Sequence, residues 1–232
     1  MSNYAKSIIF AAVLGIVCSS LLTLASTGLK EYQLKNVAID KHKNILKSVG
    51  LISDKQKLSQ DAIDRLYKEN IRQMWVNPEG KIVSEKKKTE NDLLVYLYEK
   101  QEKIQSYIIP IDSKGLWGRI LGYLAIKNDG TTVAGFTVYS HSETPGLGGE
   151  IEKSWFQNNF IGKKILDDAG NFVSVSITKG AVKDKIPESK RKNFVDGISG
   201  ASLTGKFLSA GLKETLLEYE PLSKRFRKNK IK

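Results

Sequence analysis

At 232 residues the chain can bury a substantial core, and one anchored domain of about 200 residues is the natural expectation. Its composition, 41% hydrophobic and 27% charged, excludes a disordered chain. The net charge of +12 favours an anionic partner such as nucleic acid, an anionic membrane surface or a phosphorylated ligand. The charge is spread along the chain with no RNP-like, zinc-finger or helix-turn-helix signature, which argues against nucleic acid. A single cysteine, Cys18, excludes an intrachain disulfide, and two histidines make no credible zinc site.

Ser7 to Leu29 is an uncharged run, and a helix of that length reaches about 34 Å, enough for a bilayer core. A cleavable signal peptide would have a shorter apolar region and a more basic start than Lys6 alone. Val17 stands where a lipoprotein signal needs a small residue before its cysteine, so Cys18 reads as an apolar residue of the helix. Lys30, Lys35, Lys41 and Lys43 follow the span, and the positive-inside rule taken literally puts the following domain in the cytoplasm.

From Leu34 to Leu51 the pattern is amphipathic, with Gly50 as its C-terminal cap. Ser59 to Val76 is predicted as a second helix, its apolar stripe running through Ile63, Leu66, Tyr67, Ile71 and Met74. Asn77-Pro78-Glu79-Gly80 forces a turn, and Leu93 to Tyr98 has the branched and aromatic content of a strand. Ser106 to Ile111, Gly122 to Ile126 and Thr132 to Ser140 are further strands, the last two joined by the hairpin signal Asn128-Asp129-Gly130. Between them Gly115 and Gly118 flank Trp117, which can pack in a core or present its face to a flat ring.

Glu143-Thr144-Pro145-Gly146-Leu147-Gly148-Gly149-Glu150 is a tight loop whose exposed amides suit a polar ring edge or a phosphate. Trp155 to Phe160 begins a helix that Gly162 ends. Phe172 to Thr178 alternates as a strand, with Val173, Val175 and Ile177 on one face. Lys179 at its end can pair with a phosphate or simply face solvent, and Asp184 to Asn193 reads as polar linker.

The chain then reaches Asp196-Gly197-Ile198-Ser199-Gly200-Ala201-Ser202-Leu203-Thr204, a hydroxyl-rich turn running into an apolar helical pattern. Ser and Gly before such a run are ordinary capping chemistry, but a helix N-terminus also favours a phosphate. Leu203, Phe207, Leu208, Leu212, Leu216 and Leu217 continue the helix to near Pro221, and Lys224 to Lys232 reads as a solvated, disordered basic tail.

This turn resembles the flavin-attachment motif of proteins that carry FMN through a phosphoester, with the acceptor on Ser202. Three further segments, Ala38 to Leu51, Pro110 to Ile126 and Glu143 to Glu150, are similar to one family of that group, the C subunits of the sodium-translocating NADH:quinone reductase (the NqrC family). Helices flank strands joined by hairpins, which gives an α+β fold: a transmembrane helix (7–29), a helical membrane-proximal region (30–95), a domain with a mainly antiparallel sheet flanked by helices (96–223), which the resemblance implies binds FMN, and the basic tail (224–232). The resemblance implies a single-pass protein of the bacterial inner membrane with its domain in the periplasm, opposite to the lysine count. Its partners would be the other membrane subunits of the complex and, during maturation, a magnesium-dependent flavin transferase using FAD.

The site implied is Ser202 as covalent acceptor, with Ser199, Gly200, Ala201, Thr204 and Asp196 around it, and Thr144, Gly146, Leu147, Gly148, Trp117 and Lys179 toward the flavin. No residue is assigned to proton transfer, because an electron relay needs none. Most of the family has threonine at the acceptor position, whereas this chain has serine. The alternatives are the corresponding flavoprotein of the related ferredoxin:NAD oxidoreductase (Rnf) complex, or a membrane-anchored module that binds an anionic ligand without redox chemistry.

Overall fold

The computed structural model describes residues 2–229. It divides into two compact units, residues 1–40 and residues 41–232. The first is built on helix α1 (Asn3–Gly28), whose N-terminus is capped by the Ser2 hydroxyl. At about 1.5 Å per residue its 26 residues reach about 39 Å. Mean hydropathy is 2.5 in its most apolar window and no residue of it is buried, so it is long and apolar enough to cross a membrane. Helix α2 (Lys30–Ser48) follows and ends just before Gly50, the expected cap, with Leu51 N–H donating to the Leu46 carbonyl.

The second unit is organised on a six-stranded antiparallel sheet. Its strands, after helix α3 (Gln60–Asn70), are β1 (Ile71–Val76), β2 (Ile82–Val83), β3 (Leu93–Lys100), β4 (Lys103–Lys114), β5 (Arg119–Lys127) and β6 (Val133–Ser140), in the order β2-β1-β3-β4-β5-β6. Beyond the sheet lie α4 (Ser154–Gln157), β7 (Ser176–Ile177), α5 (Val182–Lys185), β8 (Phe194–Val195), α6 (Ser202–Glu218) and α7 (Glu220–Arg227). The expected α+β class with a mainly antiparallel sheet is what the chain forms.

Alternation along the strands gives the sheet two apolar faces. Val95, Leu97, Ile109, Ile111 and Leu124 join the core built with α6, to which Leu208, Leu212 and Leu216 contribute fully buried side chains. Each such burial stabilises by roughly 1.5–3 kcal/mol. Helix α6 approaches β4 so closely that a Cβ on Gly211 would lie 2.1 Å from Ser113 Oγ. On the opposite face the end of α2 packs against β6, where Thr137 Oγ1 donates to the Asn44 carbonyl at 3.2 Å. Tyr67 of α3 stacks on His42, which also pairs with Asp64.

Several expectations need correction. The helix predicted to Val76 stops at Asn70: Ile71, Trp75 and Val76 are buried as strand residues paired with β3, and their spacing only mimics a helical stripe. A domain boundary at 95/96 would fall inside β3, and the strands before it, β1 and β2, pair in the same sheet. Only Ser176 and Ile177 of the segment from Phe172 to Thr178 pair as a strand, because Ser174 takes φ +69° and breaks the extended run. The polar stretch from Asp184 to Asn193 holds the end of α5 and a 3-10 segment.

The described part of the basic tail is also ordered, as α7. Pro221 stands in the first turn of that helix, Leu222 and Phe226 are buried one turn apart, and Phe226 stacks on Tyr107 at 4.5 Å. Arg227 pairs with Glu220 and donates to the Gly130 carbonyl. Residues 230–232 lie outside the described ones.

Candidate functional site

Three segments far apart in sequence meet at one depression of about 340 Å³, within the range of small-ligand sites. The turn between β4 and β5 brings Leu116 and Trp117, the loop after β6 brings Glu143, Thr144, Leu147 and Gly148, and the start of α6 brings Gly200 through Thr204.

Each segment is held by its own chemistry. The first turn is closed by Gly115 N–H donating to the Gly118 carbonyl at 2.6 Å. In the second, Leu147 and Gly149 N–H both donate to the Thr144 carbonyl, curling the chain around Pro145 and Gly146. In the third, Gly200 takes φ +74°, and a Cβ there would meet Leu147 Cδ2 at 2.7 Å. Glycine therefore supplies both the left-handed angle and the close approach of the two loops.

The start of α6 is open to a ligand. Its N-cap is Ala201, which has no side-chain oxygen, and no side chain caps the helix. The helical ladder begins with Gly205 N–H on the Ala201 carbonyl at 3.0 Å, so the amides of Ser202, Leu203 and Thr204 precede it. The capping expected of hydroxyls in this turn does not occur, which leaves the positive end of a 17-residue helix beside the depression. Ser202 is exposed at that point. Around the mouth stand four exposed apolar side chains, Leu116 (41%), Trp117 (69%), Leu147 (44%) and Leu203 (52%). A phosphate-favouring floor and an apolar rim suit a ligand with a charged end and a flat, largely apolar body.

Of the residues expected at the site, Trp117, Thr144, Leu147, Gly148, Gly200, Ala201, Ser202 and Thr204 are brought together. Thr204 is not a free phosphate donor: it is buried and its hydroxyl donates to Glu143. Ser199 and Gly146 are exposed but do not line the depression, and Lys179 lies in a separate one with Thr178 and Phe194. Asp196 lies in another, where it accepts the Val182 N–H at 2.6 Å at the start of α5.

The residue that sequence reasoning passes over is Glu143. Only 4% exposed, it accepts N–H from Leu116 (2.8 Å) and Trp117 (3.1 Å) on one oxygen and the Thr204 hydroxyl on the other. A glutamate beside a polar loop carries no sign of burial in sequence. Its place inside the loop string is the only available signal.

Comparison with known proteins bears on the same segments. The FMN-binding domain family matches residues 115–217, which include all three. The C subunit of the Na(+)-translocating NADH-quinone reductase of Yersinia pestis is 31% identical over 98% of this chain and 94% of its own length. The corresponding protein of Neisseria meningitidis serogroup B is 32% identical over 88% and 86%. The chain belongs to the NqrC family. The crystal structure of the NqrC protein from Parabacteroides distasonis superposes with a TM-score of 0.71 at 31% identity, covering 84% of this chain and 96% of that one. A second, NqrC from Shewanella oneidensis, has a TM-score of 0.65 at 22% identity, covering 81% and 98%, and shares the fold.

Proposed function

We propose that this NqrC-family chain is a membrane-anchored flavoprotein that relays electrons within the NADH-quinone reductase complex through an FMN bound in the depression at the start of α6. The carrying observation is the uncapped N-terminus of α6, with the exposed Ser202 hydroxyl on its first turn and the apolar rim facing it. The residues fit FMN. Amides at a helix N-terminus suit its phosphate, and Trp117, Leu147 and Leu203 offer apolar surface to its ring.

When bound, the flavin supplies reversible electron transfer, and the chain supplies attachment, orientation and electrostatics. Ser202 is the covalent acceptor. Its hydroxyl oxygen forms the ester bond to the FMN phosphoryl of FAD, the bond to AMP breaks, and AMP leaves with the electron pair while a flavin transferase takes up the hydroxyl proton. Serine in place of the commoner threonine keeps the nucleophile and loses a methyl that fixes the rotamer. Asp196 acts in this reading from outside the depression, by holding the turn against α5 and by offering its exposed side to the transferase.

Helix α1 anchors the chain in the cytoplasmic membrane, with the flavin domain on the periplasmic side and the other members of the complex as partners. Covalent attachment suits that location, because a dissociable flavin would be lost on the far side of the membrane from its synthesis. Flavin absorbance should persist after the purified chain is denatured and washed. Colourless protein from cells that possess the transferase would remove the redox reading and leave an anionic-ligand module.

A further inference from the structure

We infer that Glu143 is the positioning residue that assembles the flavin site, one buried carboxylate tying the wall that carries Trp117 to the helix start that carries Ser202. The inference rests on the FMN reading and adds the residue that sets the distance between ring wall and attachment point.

The geometry allows little else. Oε1 takes the N–H groups of Leu116 and Trp117, and Oε2 takes the hydroxyl of Thr204, two residues beyond Ser202. The backbone of Glu143 is fixed as well, its N–H donating to His141 Nδ1 at 3.1 Å while His141 Nε2 faces Glu152 at 3.3 Å. Both oxygens pack closely against glycines. A Cβ on Gly115 would lie 2.5 Å from Oε1, and one on Gly148 would lie 2.6 Å from Oε2. No cation comes within ion-pair distance of Glu143 among the described residues, so the two amides and one hydroxyl are its compensation.

Three donors converge on this carboxylate, two amides on one oxygen and a hydroxyl on the other. Removing it leaves the two amides of the part-buried turn and the buried Thr204 hydroxyl without their acceptor. Among the described residues, the Glu143 carboxylate alone bonds both the turn after β4 and the first turn of α6; the nearest other link, Ser113 Oγ on the Phe207 carbonyl, reaches the helix a turn later. Loss of the tie therefore lets Trp117 and Ser202 drift apart while the sheet and α6, held by Leu208, Leu212 and Leu216, stay folded.

The test uses the full chain, co-expressed with the transferase, as wild type, Glu143→Ala, Glu143→Gln and Thr204→Val. The readouts are the FMN-bearing fraction by intact mass, the midpoint potential of the attached flavin, and the melting temperature. Glu143→Ala should lower the FMN-bearing fraction at least tenfold and shift the potential of what remains. Glu143→Gln, whose amide oxygen still accepts the two N–H groups and whose NH2 can meet Thr204, should restore the fraction to within about twofold.

Should Glu143→Ala fail to fold, Thr204→Val decides, since it severs one arm alone and should shift the potential and lower the fraction. Wild-type fraction and potential in Glu143→Ala, or in Thr204→Val where the alanine variant does not fold, would overturn the inference. So would a glutamine variant as defective as the alanine one. Wild-type protein without FMN is a different result, which removes the flavin reading itself and with it any group for Glu143 to position.

Discussion

Gly148→Ala is the substitution whose cost the geometry fixes most sharply. The added methyl would lie 2.6 Å from both Glu143 Oε2 and Thr204 Oγ1 and 3.0 Å from Glu143 Cβ. All three residues are buried, so none can swing aside into solvent. Overpacking of this kind costs about 1–3 kcal/mol. Forcing Thr204 off the carboxylate adds about 1 kcal/mol or more for a buried group left without its partner. Together they reach roughly 2–4 kcal/mol, which for a domain of this size lowers the melting temperature by roughly 5–15 °C. Gly146→Ala is the control, because nothing lies within 4 Å of its Cβ position and its cost is limited to the strain of φ +74°. Thermal unfolding of the two variants and wild type, followed by far-UV circular dichroism, should rank Gly148→Ala well below Gly146→Ala. Equal melting temperatures for the three proteins would refute the packing around Glu143 described above.

Ser202→Thr should retain covalent flavin, since it restores the commoner family residue with its hydroxyl at the same helix position; loss of flavin in this variant, measured by absorbance after denaturation, would count against Ser202 as the acceptor. Protease added to intact spheroplasts should digest the domain, and protection there with cleavage in inverted vesicles would put it in the cytoplasm, as the lysine count alone suggests. Asp54 bonds Lys47 at 2.5 Å and accepts from the Ser154 hydroxyl, and these hold its carboxyl below the ordinary 3.8. A depressed folded value gives stability that is complete above the ordinary value and lost as the pH falls through the folded one. Asp54→Asn should therefore flatten the fall in melting temperature below about pH 4, and an unchanged slope would show that this carboxylate does not contribute.

The elements most legible in the sequence are those with one dominant physical signal. The uncharged run from Ser7 to Leu29 forms α1 with shifted ends, and the leucines after Ser202 form α6, although Leu203 and Leu217 face solvent rather than the sheet. Asn128-Asp129-Gly130 joins β5 to β6, with Asp129 Oδ1 accepting the Thr131 and Thr132 N–H groups. What misleads is spacing without context. Ile71 and Met74 stand three apart as in a helix, yet pairing with β3 overrides that pattern. The basic residues of the tail conceal Leu222 and Phe226, whose four-residue spacing is the helical signal.

At the site, three loops are readable from their glycines and hydroxyls, but their meeting point is not. Ser199 and Gly146 adjoin lining residues in the chain without lining the depression themselves, and Asp196 and Lys179 line separate ones. The buried acceptor that joins the loops, Glu143, looks in sequence like any surface glutamate.

The central claim is that Ser202 carries FMN, and peptide mass spectrometry of the purified full chain from cells containing the transferase tests it most directly. The peptide spanning Ser199 to Thr204 should carry the mass of one FMN less one water on Ser202, and the Ser202→Ala chain, which keeps a good helix former at that place, should fold and carry none. An FMN mass on Ser199 or Thr204, or an unmodified wild-type peptide, would contradict it.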